Sequence, residues 1–292
     1  MLSQAARKRI SLFALPAFVF EIAESSRLCC HFWNRLMLGS TLFYLSSFLL
    51  IGFGMGRMFD PIYLLLVLLP GMVLSSGAAW LVKMRFSQYS DVPTSRGYTG
   101  QQAAQKLLDT AGITDVKVVR VDGTLTDHYN PVSKTLALSS QVFDKTSVAA
   151  IGVATHEAGH AIQHATAYPF LKWRSMVVPA ANIGTKFGTM GMMVGLALIA
   201  FAGVFGKIVF LIGAALYGLL LLFQLVTLPV EFNASNRAKQ LVVEAGIVTI
   251  QEREGIDKVL FAAAMTYVAA FVTSFLTLIY FLHRAGLLGG RR

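Results

Sequence analysis

Long apolar stretches alternate with two polar segments along the chain. Five stretches hold about the 20 apolar residues that a helix needs to cross a bilayer: residues 36–56, 62–82, 188–206, 208–228 and 259–282. Only residues 57–61 separate the first two, which predicts a tight hairpin or one helix lying at the interface. The third and fourth stretches are separated just as briefly, by residues 203–207, and predict a second hairpin.

The first polar segment, residues 83–187, has the pattern of a soluble unit. Thr99 and Gln102 form a capping box that opens a helix ending near Gly112. The β-branched run 116–121 and the alternating run 134–139 predict two strands. Thr146 then caps a helix that continues until Pro169. We expect an α+β unit with a small sheet.

The second polar segment, residues 229–258, lies between the fourth and fifth stretches. It starts at Pro229, a position that suits either a new helix or a kinked extension of the fourth span. The pattern divides the chain into residues 1–57, a span at 58–82, the polar segment 83–187, a hairpin at 188–228, the second polar segment, and a last span with its tail at 259–292.

Composition supports a membrane protein, since 55% of the residues are hydrophobic and only 14% are charged. The net charge of +10 comes from basic residues that stand singly near the ends of apolar stretches. That arrangement favours an anionic membrane surface as the partner and argues against nucleic acid. Cys29 and Cys30 are adjacent, which excludes a disulfide framework.

One motif in the predicted helix carries chemistry. His156-Glu157-Ala158-Gly159-His160 places two imidazoles four residues apart on one helix face, where they can share a zinc ion. Glu157 points to the side of that pair and suits the general base of a metalloprotease. The alternative is a helix with two stabilising histidines. The motif indicates a multi-pass α-helical membrane protein with an inserted α+β zincin-like metalloprotease domain.

A catalytic zinc site needs a third protein ligand. The elongated motif with a third histidine is excluded, because Thr166 stands at that position. His164 could ligate, although a histidine at a helix end that favours the dipole is the simpler interpretation. Glu231 is the next acid after Glu157 and lies at the end of an apolar span, where it is either a ligand or a helix N-terminal carboxylate. The two intervening spans return the chain to the same membrane face, so Glu231 can meet the histidines.

Three stretches resemble the YugP-like neutral zinc metallopeptidases of bacterial membranes: residues 125–131 (LTDHYNP), 156–165 (HEAGHAIQHA) and 228–235 (LPVEFNAS). The chain is more remotely similar to the HtpX and CAAX prenyl protease group. These resemblances imply that His156, His160 and Glu231 bind one zinc ion and that Glu157 is the base. In the wider group an Asp follows the ligand Glu by four residues and orients a histidine, whereas this chain has Ser235, an uncharged partner.

Members of the family usually begin near residue 58. Residues 1–57, with the possible span 36–56, are therefore an expected extension, and we expect Met55 or Met58 to be the native start. N-terminal sequencing tests this, and a native peptide from residues 10–50 would contradict it.

The expected activity is peptide-bond hydrolysis by a zinc-activated water, with Glu157 taking its proton. Residues 134–139 offer an unpaired strand edge on which an unfolded or extended polypeptide could add. His128, Tyr129 and Arg237 are candidate oxyanion donors, each of which also has an ordinary structural interpretation. The alternative function is a membrane chaperone or scaffold with a structural zinc clamp. Transport is disfavoured, because the spans contain few ionisable groups.

Charge also predicts orientation. The two polar segments hold 15 of the 25 Lys and Arg residues. We therefore expect a protein of the bacterial inner membrane whose two polar segments, and the metal site between them, face the cytoplasm. The oligomeric state stays open.

Overall fold

The computed structural model describes residues 61–123 and 126–288, and four long helices dominate it. Each is long and apolar enough to cross a membrane: α1 (Pro61–Ser90), α5 (Pro169–Ala202), α6 (Val204–Glu244) and α7 (Ile250–Arg284). They confirm four of the five predicted spans. The span predicted at 36–56 and the extension 1–57 lie outside the described residues.

These helices continue well beyond the apolar stretches. A π-helical turn, Leu64–Leu68, lies in the first part of α1. Helix α5 starts at Pro169, about five turns before the apolar stretch that begins at residue 188. Helix α6 runs without interruption through Pro229 to Glu244, so the second polar segment begins as an extension of the fourth span. Glu231 therefore lies inside a helix, and its interpretation as a helix N-terminal carboxylate is wrong.

Helices α5 and α6 form a closely packed hairpin. A Cβ atom on Gly195 would lie 2.2 Å from the backbone nitrogen of Phe210, so the two backbones can come this close only because residue 195 is glycine. The turn between the helices is made at Gly203, whose φ of +48° favours glycine. This hairpin carries the chain from the polar unit into the apolar region and back.

The polar unit contains three further helices and a sheet. The helices are α2 (Gly100–Thr110), α3 (Ser140–Phe143) and α4 (Val148–Ala165). The Thr99–Gln102 capping box is present, and Gly112, with φ +71°, follows the end of α2. The N-cap of α4 is Ser147, which accepts from the N–H of Ala150, so the cap predicted at Thr146 is wrong by one residue.

The sheet differs from the prediction in one important respect. Strands β1 (Lys117–Val121) and β3 (Thr135–Ser139) match the two predicted strands, and a third strand, β2 (His128–Asn130), lies between them in sequence. The strand order is β1-β3-β2, with β1 parallel and β2 antiparallel to β3. Strand β3 is thus central, and the prediction that residues 134–139 form an unpaired edge is wrong. The edge strand beside α4 is β2.

Helix α4 lies at the centre of the buried core of the polar unit. Residues of α2, β3 and α7 pack around it, together with the last turns of α6. Its buried positions are mostly Ala, Gly, Val and Ile, and these small or branched side chains allow several neighbouring elements to approach the helix at once. Three polar side chains of α4 reach partners on α6, those of His156, His160 and Gln163.

Candidate metal centre

His156, His160 and Glu231 converge where α4 meets α6. The Nε2 atoms of His156 and His160 lie 3.3 Å and 3.6 Å from Oε2 of Glu231. Their potential ligand atoms all fall within 4.8 Å of one another. Within residues 61–123 and 126–288, no other group of three such side chains converges in this way. The structure thus brings together the three residues that the sequence singled out.

The close approach of α4 and α6 depends on Gly159. A Cβ atom at this position would lie 2.7 Å from the carbonyl oxygen of Ala234 on α6. Because Ala234 is one turn beyond Glu231, this contact sets how near the carboxylate comes to the histidines. The glycine inside the motif therefore has a packing reason of its own.

The second nitrogen of each imidazole has a partner. Nδ1 of His156 lies 3.2 Å from Oγ of Ser235, and Nδ1 of His160 lies 3.0 Å from Oε1 of Gln163. Partners of this kind hold the ring orientation of metal-binding histidines. In both rings, Nε2 is the nitrogen turned towards Glu231.

The donor set suits zinc. Catalytic zinc sites commonly have two imidazole nitrogens and one carboxylate as protein ligands, and a water molecule or the substrate takes the fourth position. Oε1 of Glu231 is buried and finds no hydrogen-bond partner among the described residues, while Nη1 of Arg174 lies 3.9 Å away. A buried carboxylate with an unsatisfied oxygen is costly, and a metal ion compensates that cost.

Glu157 stands beside the three converging groups on the side of α4 that faces β2. Burial raises the pKa of its carboxyl to about 7, although the neighbouring His156 ring and the backbone N–H of Tyr129, which hydrogen-bonds to it, favour its charged form. A carboxyl with a pKa near neutrality can both accept and release a proton at physiological pH.

The other candidate residues surround this centre without joining it. The hydroxyl of Tyr129 is 2.9 Å from Nδ1 of His164, so these two side chains pair with each other. Nδ1 of His128 lies 2.8 Å from the carbonyl oxygen of Thr126. Nε of Arg237 donates to Oδ1 of Asn233 at 2.8 Å.

Sequence reasoning missed two residues at the centre. Gln163, beside Nδ1 of His160, and Arg174, beside Glu231, were not among the predicted site residues. The sole sequence feature that marks Gln163 is its spacing of three from His160, which puts it on the same helix face. Arg174 reaches Glu231 through the pairing of α5 with α6, and no local pattern indicates that contact.

Comparisons with known proteins identify the family of the chain. The family model described as "Putative neutral zinc metallopeptidase" matches residues 64–286. A curated relative, "Putative membrane protease YugP" of Bacillus subtilis (strain 168), is 43% identical over 208 residues, which are 71% of this chain and 90% of the relative. No solved structure matches the chain.

The matched region contains nearly all of α1 and the whole of α5, α6 and α7, together with the polar unit and the His156, His160 and Glu231 cluster. The four candidate spans and the membrane-protease relative make this a membrane protein, and the family name implies zinc and a protease activity. The chain belongs to the neutral zinc metallopeptidase family that this model describes.

Proposed function

We propose that this protein is a membrane-bound peptidase that binds one zinc ion through His156, His160 and Glu231 and uses Glu157 as its general base. The observation that carries the proposal is the convergence of two Nε2 atoms on a carboxylate whose other oxygen is buried without a hydrogen-bond partner among the described residues. The family membership supports the same activity.

The four residues divide the work between them. When bound, zinc lowers the pKa of a water molecule to about 7 and polarises a carbonyl group. His156 and His160 present Nε2 lone pairs, and Glu231 supplies negative charge. Glu157 accepts a proton from the attacking water and delivers it to the leaving amine. Its raised pKa of about 7 suits both halves of that transfer.

The outer edge of β2 is the proposed substrate-binding strand. Its inner edge lies against β3, where Tyr129 stands opposite Leu136. In an antiparallel strand the N–H and C=O of one residue point to the same side. The Tyr129 N–H contacts Glu157, so its C=O also faces the site and can accept from a polypeptide laid along β2. This mode requires an extended chain, and therefore favours unfolded segments as substrates.

The metal side is proposed to face the cytoplasm of a bacterial cell, with the protein in the inner membrane. Support comes from the 15 Lys and Arg residues of the two polar segments, against five on the opposite side. A reporter fused after Arg292 tests the orientation. A reporter that works only outside the cytoplasm should be active in this position, and a reporter that works only in the cytoplasm should be inactive. The reverse result contradicts the proposal.

Glu157→Gln separates catalysis from a structural metal. The variant keeps the shape of the side chain but cannot take a proton, so cleavage of an unfolded protein such as reduced casein should fall by about 10²- to 10⁴-fold. Zinc content measured by elemental analysis should stay unchanged. The matched control is Glu254→Gln, which alters an exposed carboxylate paired with Lys258 and should retain full activity.

The outcomes also test the alternative function. If the wild type binds zinc but neither it nor Glu157→Gln cleaves any unfolded protein, the zinc-clamped scaffold is favoured. If gently purified protein contains no zinc, both interpretations fail, because each requires the metal.

A further inference from the structure

The side chain of Gln163 joins α4 to α6 beside the metal centre by hydrogen bonds. It is fully buried on α4, one turn after His160. Its Oε1 lies 3.0 Å from Nδ1 of His160. Its Nε2 lies 2.8 Å from the carbonyl oxygen of Val230 and 3.0 Å from Oδ1 of Asn233, both on α6. One amide group thus contacts a proposed ligand on one helix and both flanks of Glu231 on the other.

The chemistry of these partners fixes which way the amide faces. A backbone carbonyl only accepts, so the atom beside Val230 must be the Gln163 nitrogen. The neighbouring amide is fixed in the same way. The Nε of Arg237 only donates, so the Asn233 atom that it contacts at 2.8 Å must be an oxygen. This assignment rests on unambiguous donors and acceptors at both ends of the network.

The proton on His160 follows from that assignment. Because Gln163 presents its oxygen to Nδ1 of His160, Nδ1 must carry the hydrogen. A neutral imidazole has one proton, so Nε2 then carries the lone pair, and Nε2 is the atom that faces Glu231. Ser235 imposes no such choice on His156, because a hydroxyl can donate or accept.

We propose that Gln163 is a positioning residue that holds His160 in its Nδ1–H tautomer and keeps the helix carrying Glu231 in register with α4. The proposal rests on the metal centre described under the proposed function. The Arg237–Asn233–Gln163–His160 chain of hydrogen bonds extends this control from the surface of α6 to the proposed ligand.

The tautomer of the metal-free wild type is the first test. Long-range ¹H–¹⁵N NMR distinguishes an Nδ1 that carries a hydrogen from one that does not, and the His160 signal is identified by its loss in His160→Asn. The Nδ1–H form is expected. An Nε2–H form in the folded wild type would overturn the proposal without any variant being made, and the measurement needs neither zinc nor activity.

Gln163→Met is the second test, since it keeps the length of the side chain and removes all three hydrogen bonds. The Nδ1–H signal of His160 should give way to the Nε2–H form, and zinc affinity should fall about ten- to a hundredfold. Asn233→Ala leaves the Val230 contact in place, so its effect should be smaller. If Gln163→Met does not fold, Asn233→Ala and the wild-type tautomer still decide the matter.

The matched control is Gln224→Met, which makes the same substitution at a buried glutamine on α6, two turns before Glu231. It should leave the His160 tautomer and the zinc affinity unchanged. Equal losses in Gln163→Met and Gln224→Met would overturn the proposal, as would an unchanged tautomer in folded Gln163→Met. If the wild type shows the Nδ1–H form but binds no zinc, the positioning role stands and the proposed function fails.

Discussion

Replacing Gly159 with alanine should damage the metal centre although the new methyl group touches no ligand. The added Cβ would lie 2.7 Å from the carbonyl oxygen of Ala234, 3.2 Å from its carbonyl carbon and 3.3 Å from its Cα. All three atoms are backbone, so no side chain can rotate away to relieve the contact. The helices α4 and α6 must separate instead.

The size of the effect follows from the geometry. Ordinary contact begins at 3.4 Å, so the oxygen of Ala234 must move by about 0.7 Å. Glu231, one turn earlier on the same helix, moves with it, whereas metal–ligand distances tolerate only about 0.2 Å. Overpacking of this kind costs about 1–3 kcal/mol, which corresponds to a zinc affinity about 5- to 150-fold weaker.

Competition with a chromogenic chelator, on metal-stripped protein in detergent, measures that affinity. Circular dichroism verifies that the helices remain. Gly152→Ala is the matched control in the same helix, because the nearest atom to its Cβ would belong to the flexible Ile256 side chain, at the ordinary contact distance of 3.4 Å. The control should bind zinc as the wild type does. If Gly159→Ala also binds zinc with wild-type affinity, the argument that this contact sets the position of Glu231 is wrong.

Three further predictions concern the surroundings of the site. Ser235→Ala removes the Nδ1 partner of His156 and should weaken zinc binding by about tenfold in the same competition assay, and an unchanged affinity would contradict that role. Burial raises the pKa of Asp127 in the folded protein above the ordinary Asp pKa of about 3.9. The contribution of this carboxyl to the free energy of unfolding is therefore largest below about pH 3.9, and it is lost as the pH rises from there to the pKa of the folded state. Asp127→Asn keeps both contacts to Ser139 but cannot ionise, so its thermal midpoint should rise relative to that of the wild type as the pH increases through this range. A difference between the two midpoints that does not change with pH would refute the linkage. Chelation of zinc should lower the thermal midpoint, and zinc at 100 times its Kd should raise the free energy of unfolding again by about 2.7 kcal/mol. If Mg²⁺ restored the stability instead, a ligand set that contains nitrogen would be contradicted.

Local chemistry made parts of this structure predictable. The Thr99–Gln102 capping box and the glycine after α2 were read correctly because capping depends on residues within one turn. Four spans were recognised because about 20 apolar residues have few alternatives to a membrane. The extension of α6 through Pro229 was left open, because proline permits both a helix start and a helix interior in a packed membrane bundle.

The error in the sheet has its physical origin in pairing between distant residues. Strand β2 has only three residues, too few for an alternating pattern, and it exists because β3 provides its hydrogen-bond partners. Once β2 pairs there, β3 is no longer an edge, and the proposed substrate strand changes with it.

The sequence by itself determined the pair of imidazoles, because four residues of helix always bring His156 and His160 to one face. It also determined that the chain crosses apolar surroundings and returns between Glu157 and Glu231. Only the tertiary structure decided that Glu231 approaches those imidazoles, that Arg174 lies beside Glu231, and that Gln163 donates to the helix of Glu231. These contacts join residues that lie far apart in sequence, and they depend on how closely α4 and α6 pack, which the backbone contact at Gly159 sets.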